Sequence, residues 1–204
     1  MIGIIDYGAG NVGNVQRALS FHNERSTILR CPDQINNSID LLILPGVGAF
    51  APAMSALEKE GWPFFLSQWV EKGHPLLGIC LGLHLLCEGG EEGGYRKGLG
   101  FLEGVIRHLG TQKCPHMGWN SLEWIRSAQG LEKSCHSNDY FYFVHSYGLP
   151  QTNDTVAIAR VEEREVSAIC LRDSVAAFQF HPERSGSAGL SILKGAIDLL
   201  RRHS

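Results

Sequence analysis

The side chains in this sequence best suited to covalent chemistry are a cysteine between two glycines, Gly78-Ile79-Cys80-Leu81-Gly82, and a histidine two residues before a glutamate, His181-Pro182-Glu183. A thiol becomes an effective nucleophile when a base takes its proton and a third group orients the base. Cys80 has a suitable setting. An apolar run, Pro75-Leu76-Leu77, precedes it, and another through Leu83, Leu85 and Leu86 follows. That order reads as a strand, a turn too tight for ordinary side chains, and a helix. It is the nucleophile-elbow pattern with sulfur in place of oxygen. The helix would aim backbone N–H groups at the sulfur and favour a thiolate. The competing reading is a buried structural cysteine, since cysteine is among the most buried residue types. His181 is the best base candidate. It ends an apolar run, residues 175–180, much as Cys80 ends its own, so two neighbouring parallel strands would bring them together. In extended chain Glu183 would face the same way as His181 and hold one ring nitrogen, leaving the other for the sulfur. With nine histidines in the chain, a surface histidine at a strand end is the plainer alternative.

The elements needed to position these groups can be read along the chain. The 204 residues are 44% hydrophobic and carry no internal repeat or linker. They suffice to bury a core and are read as one domain, residues 1–204. Short apolar runs at residues 2–5, 40–44 and 175–180 read as buried strands, and residues 26–29 read as the second strand. Amphipathic helical patterns start near Val15 and recur at residues 53–59, 63–71 and 190–200. The fold class expected is α/β, a mostly parallel central sheet flanked by helices, with a smaller antiparallel region. Residues 101–109 and 121–125 read as short strands of that region, 140–144 as a further β-prone run, and 155–161 with 166–171 as a hairpin-like pair. Residues 88–100, rich in Gly and Glu, read as a surface loop. Residues 115–120, Pro-His-Met-Gly-Trp-Asn, read as a contact loop or as a structural turn with Trp119 packed inward. Composition favours the latter.

Two glycine-rich turns invite functional readings. Val47 and Gly48, after the strand at 40–44, would place N–H groups where a negative charge develops. An ordinary strand-to-helix turn fits equally well. Gly8, Gly10 and Gly13 match the dinucleotide fingerprint, but its acidic partner could only be Asp33, late and behind Pro32. A net charge of −3 with no long run of one sign argues against a nucleic-acid surface. None of the six cysteines, Cys31, Cys80, Cys87, Cys114, Cys135 and Cys170, is spaced as C-x-x-C, and no H-E-x-x-H occurs. No metal or other cofactor is therefore expected. No apolar run spans a membrane. Scattered cysteines without a secretory signal point to a reducing, cytoplasmic compartment.

Gly78 to Gly82, taken with Phe180-His181-Pro182-Glu183, resembles the class I, or triad, glutamine amidotransferases. The likeness runs from end to end, through Ile4-Ile5-Asp6-Tyr7-Gly8-Ala9-Gly10-Asn11, Pro45-Gly46-Val47-Gly48-Ala49-Phe50, Pro115-His116-Met117-Gly118-Trp119-Asn120, Tyr142-Phe143-Val144-His145-Ser146-Tyr147 and His181-Pro182-Glu183-Arg184-Ser185-Gly186. Within the class, the Met-Gly-Trp-Asn and His-Ser-Tyr stretches are similar to the glutaminase subunits of imidazole glycerol phosphate synthase, of histidine biosynthesis. The resemblance implies that Cys80 attacks the side-chain amide of L-glutamine. It implies that Leu81 and the Val47-Gly48 loop bind the oxyanion, His181 moves the proton and Glu183 orients it. It implies a heterodimer with a (β/α)₈-barrel cyclase subunit that receives the ammonia. Trp119, Asn120, Tyr140 and Tyr142 would lie near that interface. Gly48, Ser146, Tyr147 and the residue at position 84 would lie near bound glutamine. In this family the turn at residues 8–13 is not a nucleotide site. One departure stands out: position 84, usually Gln, is His84, which predicts weaker or more pH-sensitive glutamine binding. Cys114 stands where an aliphatic residue is commoner, and no function attaches to it. The rival readings are a glutaminase serving another synthase (anthranilate, aminodeoxychorismate or surface-sugar amination) and a silent scaffold that binds a partner without hydrolysing glutamine.

Overall fold

The apolar runs of the first half have no polar side to turn to water, so they form strands covered on both faces. The computed structural model describes residues 1–202. In order, the elements are β1 (Ile2–Ile5), α1 (Val12–Phe21), β2 (Ser26–Leu29), β3 (Leu41–Gly46), α2 (Phe50–Lys59), α3 (Trp62–Glu71), β4 (Leu76–Cys80) and α4 (Leu81–Leu86). Then come β5 (Cys87–Gly90), β6 (Arg96–Lys97), β7 (Leu102–His108), β8 (His116–Asn120), β9 (Glu123–Trp124), β10 (Phe141–His145) and β11 (Tyr147–Gly148). The chain finishes with β12 (Thr155–Val161), β13 (Arg164–Arg172), β14 (Val175–Phe178) and α5 (Gly186–Arg202).

The main sheet runs β2-β1-β3-β4-β14-β13-β12-β9. Its first five strands are parallel, and the last three continue antiparallel. Alternation along β3 divides the core in two. Leu41 and Ile43 pack with Val15 and Leu19 of α1 and Ile192 and Ile197 of α5. Leu42 and Leu44 pack with Met54 and Leu57 of α2 and Trp62 and Leu66 of α3. Helices thus cover both faces of one sheet. Local signals set the helix ends. The Asn11 side chain accepts from the Asn14 N–H at 3.3 Å at the start of α1. Gly61 turns the chain in the left-handed region, and Pro63 sits in the first turn of α3. Among the described residues, no helix is long and apolar enough to cross a membrane.

Two segments depart from the sequence reading. Residues 88–100 are not simply a surface loop. They contribute β5 and β6 to a four-stranded sheet ordered β11-β7-β5-β6. Gly89 and Gly90 are buried there because a side chain would not fit. A Cβ on Gly90 would meet the Phe50 ring at 3.0 Å, and one on Gly89 would meet the Arg96 carbonyl oxygen at 2.7 Å. Residues 116–120 are a strand, not a loop or turn. β8 pairs antiparallel with β10, from His116↔His145 to Asn120↔Phe141. A two-stranded ribbon buries only one face, and alternation sends Met117 and Trp119 to the other. They are 62% and 58% exposed, so the expectation that Trp119 packs inward is wrong. Boundaries also shift: the last strand stops at Phe178, the final helix starts at Gly186, α2 starts at Phe50 rather than residue 53, and the strand expected at 121–125 shrinks to Glu123–Trp124.

Candidate functional site

β4 and β14 are adjacent and parallel, in register from Leu76↔Val175 to Ile79↔Phe178. Their C-terminal ends therefore open on the same side, with Cys80 closing β4 and His181 three residues past β14. Cys80 has φ 55° and ψ −108°, a conformation rare outside glycine, and α4 begins at the next residue. The flanking glycines answer a steric demand. A Cβ on Gly82 would lie 1.9 Å from the Leu44 carbonyl oxygen. One on Gly78 would lie 2.9 Å from the carbonyl carbon of Gly82. The elbow is pressed against itself and against β3.

Nδ1 of His181 lies 2.8 Å from Oε1 of Glu183, and both side chains are almost wholly buried. The route to this pairing is not extended chain, as the two-residue spacing suggested. Pro182–Arg184 forms a single turn of 3₁₀ helix that carries the carboxylate back to the ring. Ser185, to which the sequence attaches no role, clamps the same turn. Its Oγ donates to the His181 carbonyl at 2.6 Å and accepts from the Tyr142 N–H at 2.9 Å. The His181 N–H donates to the Tyr142 carbonyl at 2.9 Å. A hydroxyl directly after a short turn was the available signal. Nε2 of His181 is buried without a hydrogen-bond partner among the described residues, so it is the nitrogen open to a reacting group.

Three histidines surround Cys80, and their environments separate them. Nε2 of His84 lies 2.8 Å from Oε1 of Gln179, and burial pushes its pKa down to about 4. Both nitrogens of His145 are bonded, one to the Tyr147 carbonyl and one to His116. Burial pushes the His145 pKa to about 3. Burial also pulls on His181, but the Cys80 sulfur and the Glu183 carboxylate outweigh it and raise its pKa to about 10. Environments that push neighbouring titratable groups apart mark out their roles. His181 is the ring that carries a proton at neutral pH, while His84 and His145 are neutral. The expected pH sensitivity through His84 is therefore overturned for the neutral range: its charge changes near pH 4, not between 6 and 8.

Cys80, His84 and His145 open on a cavity of about 260 Å³, and His181 sits behind its wall, outside the lining. Pockets for drug-sized ligands run about 300–1,000 Å³, so this one suits a small metabolite. Val47 and Gly48 form one side, Cys80, Leu81 and His84 the base, and Ser146 and Tyr147 the far wall. Gly48 has φ 101° and open space around it. Glu92 also lines the cavity, and its Oε2 accepts from the Phe50 N–H at 2.8 Å, capping α2 just after the Val47-Gly48 turn. The sequence carried no signal for Glu92, whose partner is 42 residues away.

The residues expected at a partner interface gather on β8 and β10. Trp119 and Tyr142 are cross-strand partners, with rings edge to face at 5.9 Å. Arg184 stacks over Tyr142 at 4.4 Å, and Tyr140 is exposed alongside. Asn120 is instead tied inward, donating to the Arg160 carbonyl at 2.8 Å. Met117, Trp119 and Tyr140 are thus three large side chains exposed on one small face. The Gly8-Gly10-Gly13 turn, by contrast, is explained by backbone conformation, with φ 89° at Gly8 and 152° at Gly10. Gly10 sits against the Pro45 carbonyl at the end of β3, while a Cβ on Gly13 would meet nothing within 4 Å. A dinucleotide turn needs its third glycine for close helix–strand contact.

The profile for glutamine amidotransferase class-I matches residues 3–197. Imidazole glycerol phosphate synthase subunit HisH of Desulfitobacterium hafniense is 44% identical over 197 residues, covering 95% of this chain and 92% of that protein. The subunit of the same name from Oceanobacillus iheyensis is 40% identical, covering 98% of this chain and all of that one. Among solved structures, PurLQS from Thermotoga maritima superposes with a TM-score of 0.76 at 18% identity over 98% of both chains. A crystal structure of a glutamine amidotransferase gives 0.74 at 19% identity, over 96% of this chain and 98% of that one. At those identities the two structures speak to the fold alone.

Proposed function

This chain belongs to the class-I glutamine amidotransferases, and from that premise we propose that it is the glutaminase subunit of imidazole glycerol phosphate synthase, in histidine biosynthesis. The observation that carries the chemistry is the elbow cysteine beside the one histidine whose outer nitrogen is unbonded and whose inner nitrogen rests on a buried glutamate. The near-full-length likeness to subunits named for that synthase carries the pathway.

In this reading Cys80 Sγ attacks the side-chain carbonyl carbon of L-glutamine. N–H groups of Leu81 and of the Val47-Gly48 turn take the negative charge that collects on oxygen, a contribution of about 10²–10³ in rate per donor. The proton on His181 goes to the departing nitrogen, which leaves as ammonia, and a glutamyl thioester remains. Neutral His181 then draws a proton from water as it attacks the thioester. Glutamate leaves, and the proton returns to the Cys80–His181 pair. Glu183 holds the ring so that Nε2 faces the sulfur throughout. Gly48, His84, Ser146 and Tyr147 line the glutamine site. Trp119, Asn120, Tyr140 and Tyr142 belong to the face that receives a (β/α)₈-barrel cyclase, which takes the ammonia in a heterodimer. Six free cysteines support placement in the reducing cytoplasm.

The test is glutamate release from glutamine by the chain alone, with a candidate cyclase, and with cyclase plus its ribulosyl ligand, using Cys80→Ala as control. A large rise only with ligand-loaded cyclase, lost in the variant, is the expected result. High activity indifferent to the cyclase would remove the assigned partner. No activity under any condition would remove the glutaminase.

A further inference from the structure

His116 and His145 sit opposite each other at one end of the β8–β10 register. Their rings belong to a chain of hydrogen bonds whose direction is fixed at both ends. At the inner end, Nδ1 of His145 lies 2.8 Å from the Tyr147 carbonyl oxygen. A carbonyl only accepts, so Nδ1 carries the hydrogen. At the outer end, backbone groups orient the Asn120 amide. Its Oδ1 accepts from the Ser121 N–H at 2.9 Å, and its Nδ2 donates to the Arg160 carbonyl at 2.8 Å. The same Nδ2 lies 3.2 Å from Nε2 of His116, which must therefore accept. Between the rings, Nδ1 of His116 is 2.9 Å from Nε2 of His145. Only one assignment satisfies every bond. Both rings are neutral, each carries its hydrogen on Nδ1, and every donor points inward from Asn120 to Tyr147. A second proton on either ring would set one N–H against another. Burial disfavours charge on both rings as well.

This chain of bonds joins two surfaces. Its outer strand, β8, presents Met117 and Trp119 to the exterior. Its inner end holds Tyr147, a wall of the cavity, and the neighbouring Val144 carbonyl stands 4.0 Å from Cys80 Sγ. His145 also lines the cavity but has no nitrogen left for a substrate. Its contribution is to hold the wall in place.

We propose that His116 and His145 are positioning residues, a one-way hydrogen-bond relay that fixes the Val144–Tyr147 wall to the strand on which the cyclase docks, so that docking on β8 sets the wall facing Cys80. This rests on the glutaminase–cyclase reading above. The relay differs from a mere packing contact in requiring particular tautomers and in coupling docking to turnover.

Two measurements test it. Side-chain nitrogen NMR of the wild-type chain at pH 7 is expected to show both rings neutral with hydrogen on Nδ1. Hydrogen on Nε2 of either ring, or an imidazolium, overturns the relay without any variant. The second uses His116→Phe, which keeps a ring against Phe143 but removes both bonds, and His116→Gln, which can donate and accept at once. With ligand-loaded cyclase, His116→Phe is expected to bind the cyclase within about threefold of wild type and to lose about tenfold or more of the stimulated kcat, with His116→Gln regaining part of it. Full stimulation in a folded, cyclase-bound His116→Phe overturns the proposal, as does a loss that only tracks weaker docking. A wild-type chain that gains nothing from loaded cyclase would instead sink the glutaminase–cyclase reading, and the coupling with it, while the NMR result still decides the bond pattern.

Discussion

Gly82→Ala adds one methyl group at the tightest point of the elbow. The new Cβ would lie 1.9 Å from the Leu44 carbonyl oxygen and 3.0 Å from its carbonyl carbon. A comfortable C···O contact is about 3.3–3.6 Å, so α4 must retreat from β3 by roughly 1.5 Å. No flexible side-chain tip can absorb this, because Leu44 is backbone in a strand held between β1 and β4. Overpacking costs about 1–3 kcal/mol, and the upper end applies where backbone has to move. At about 2–4 °C per kcal/mol for a chain of this size, a cost of about 3 kcal/mol lowers Tm by roughly 6–12 °C. The retreat also carries Leu81 and Cys80 with it, and a misplacement of about 1 Å costs about 10²-fold in turnover. Thermal unfolding followed by circular dichroism, run beside glutamate release with loaded cyclase, reads both effects. Gly13→Ala is the internal control: the same substitution inside α1, where the Cβ meets nothing within 4 Å. It should match wild type or gain about 0.4–1 kcal/mol. A Gly82→Ala protein within about 2 °C of wild type and equally active would refute the claim that the G-x-C-x-G glycines are a steric requirement.

Stability should fall on both sides of a near-neutral optimum, for opposite reasons. His84 and His145 have folded pKa values of about 4 and about 3, below the usual 6.5. Below pH 6.5 the unfolded chain takes up protons that the folded chain refuses, so stability is lost from pH 6.5 down through those values, by roughly 3–5 kcal/mol for each. His181, raised to about 10, acts in reverse: its stabilisation is complete below pH 6.5 and is lost as pH climbs through 10. Urea unfolding at pH 5, 6.5, 8.5 and 10 reads both limbs. In His84→Gln the acid limb should shrink, while the wild-type KM for glutamine stays flat from pH 6 to 8. Glu183→Gln keeps the shape but removes the charge beneath His181; kcat should drop by about 10²–10⁴, and the alkaline limb of the rate profile should move to lower pH. An unmoved limb would show that the carboxylate does not raise the ring's pKa. Trp119→Ala should weaken cyclase binding by tenfold or more, as an exposed aromatic anchor does when truncated by about 2 kcal/mol. Alkylation of Cys80 by a glutamine-like electrophile in the isolated chain should be unchanged, and unaltered docking would remove Trp119 from the interface.

How much of this could be read beforehand depends on how local each cause is. β1, β3, β4 and β14 were legible because a strand buried on both faces needs an unbroken apolar run, and that run is its own signal. The elbow was legible because strand, cysteine, helix and both glycines lie within a dozen residues. Glycine alone was not. It serves positive φ at Gly93 and Gly94, at 72° and 119°, and close approach at Gly89 and Gly90 a few residues earlier. Nothing nearby distinguishes the two uses, because the group that excludes a Cβ on Gly90 is the ring of Phe50, 40 residues away in the chain. For that reason β5 and β6 read as loop, and the same ambiguity made Gly8, Gly10 and Gly13 look like a nucleotide turn. Trp119 misled differently: its size argues for burial, but a ribbon of two strands offers only one inner face, and position in the pleat decides.

The histidines carry the argument furthest. His84 departs from the family's pattern, and a free imidazole titrates near neutrality. Inside the fold, burial and the Gln179 bond make it a neutral ring. His181 has the same side chain and is also buried, yet the Cys80 sulfur on one side and a carboxylate on the other raise its pKa and favour its protonated form. His145 has both nitrogens spent on structure. Three identical side chains around one sulfur thus become an acid, a neutral wall and a strut. What separates them is which atoms of distant strands meet each nitrogen. His-Pro-Glu was readable because its decisive partner lies two residues away. The partners of His84 and of His116 lie 95 and 29 residues away, so their roles follow from the packing of β8, β10 and α4.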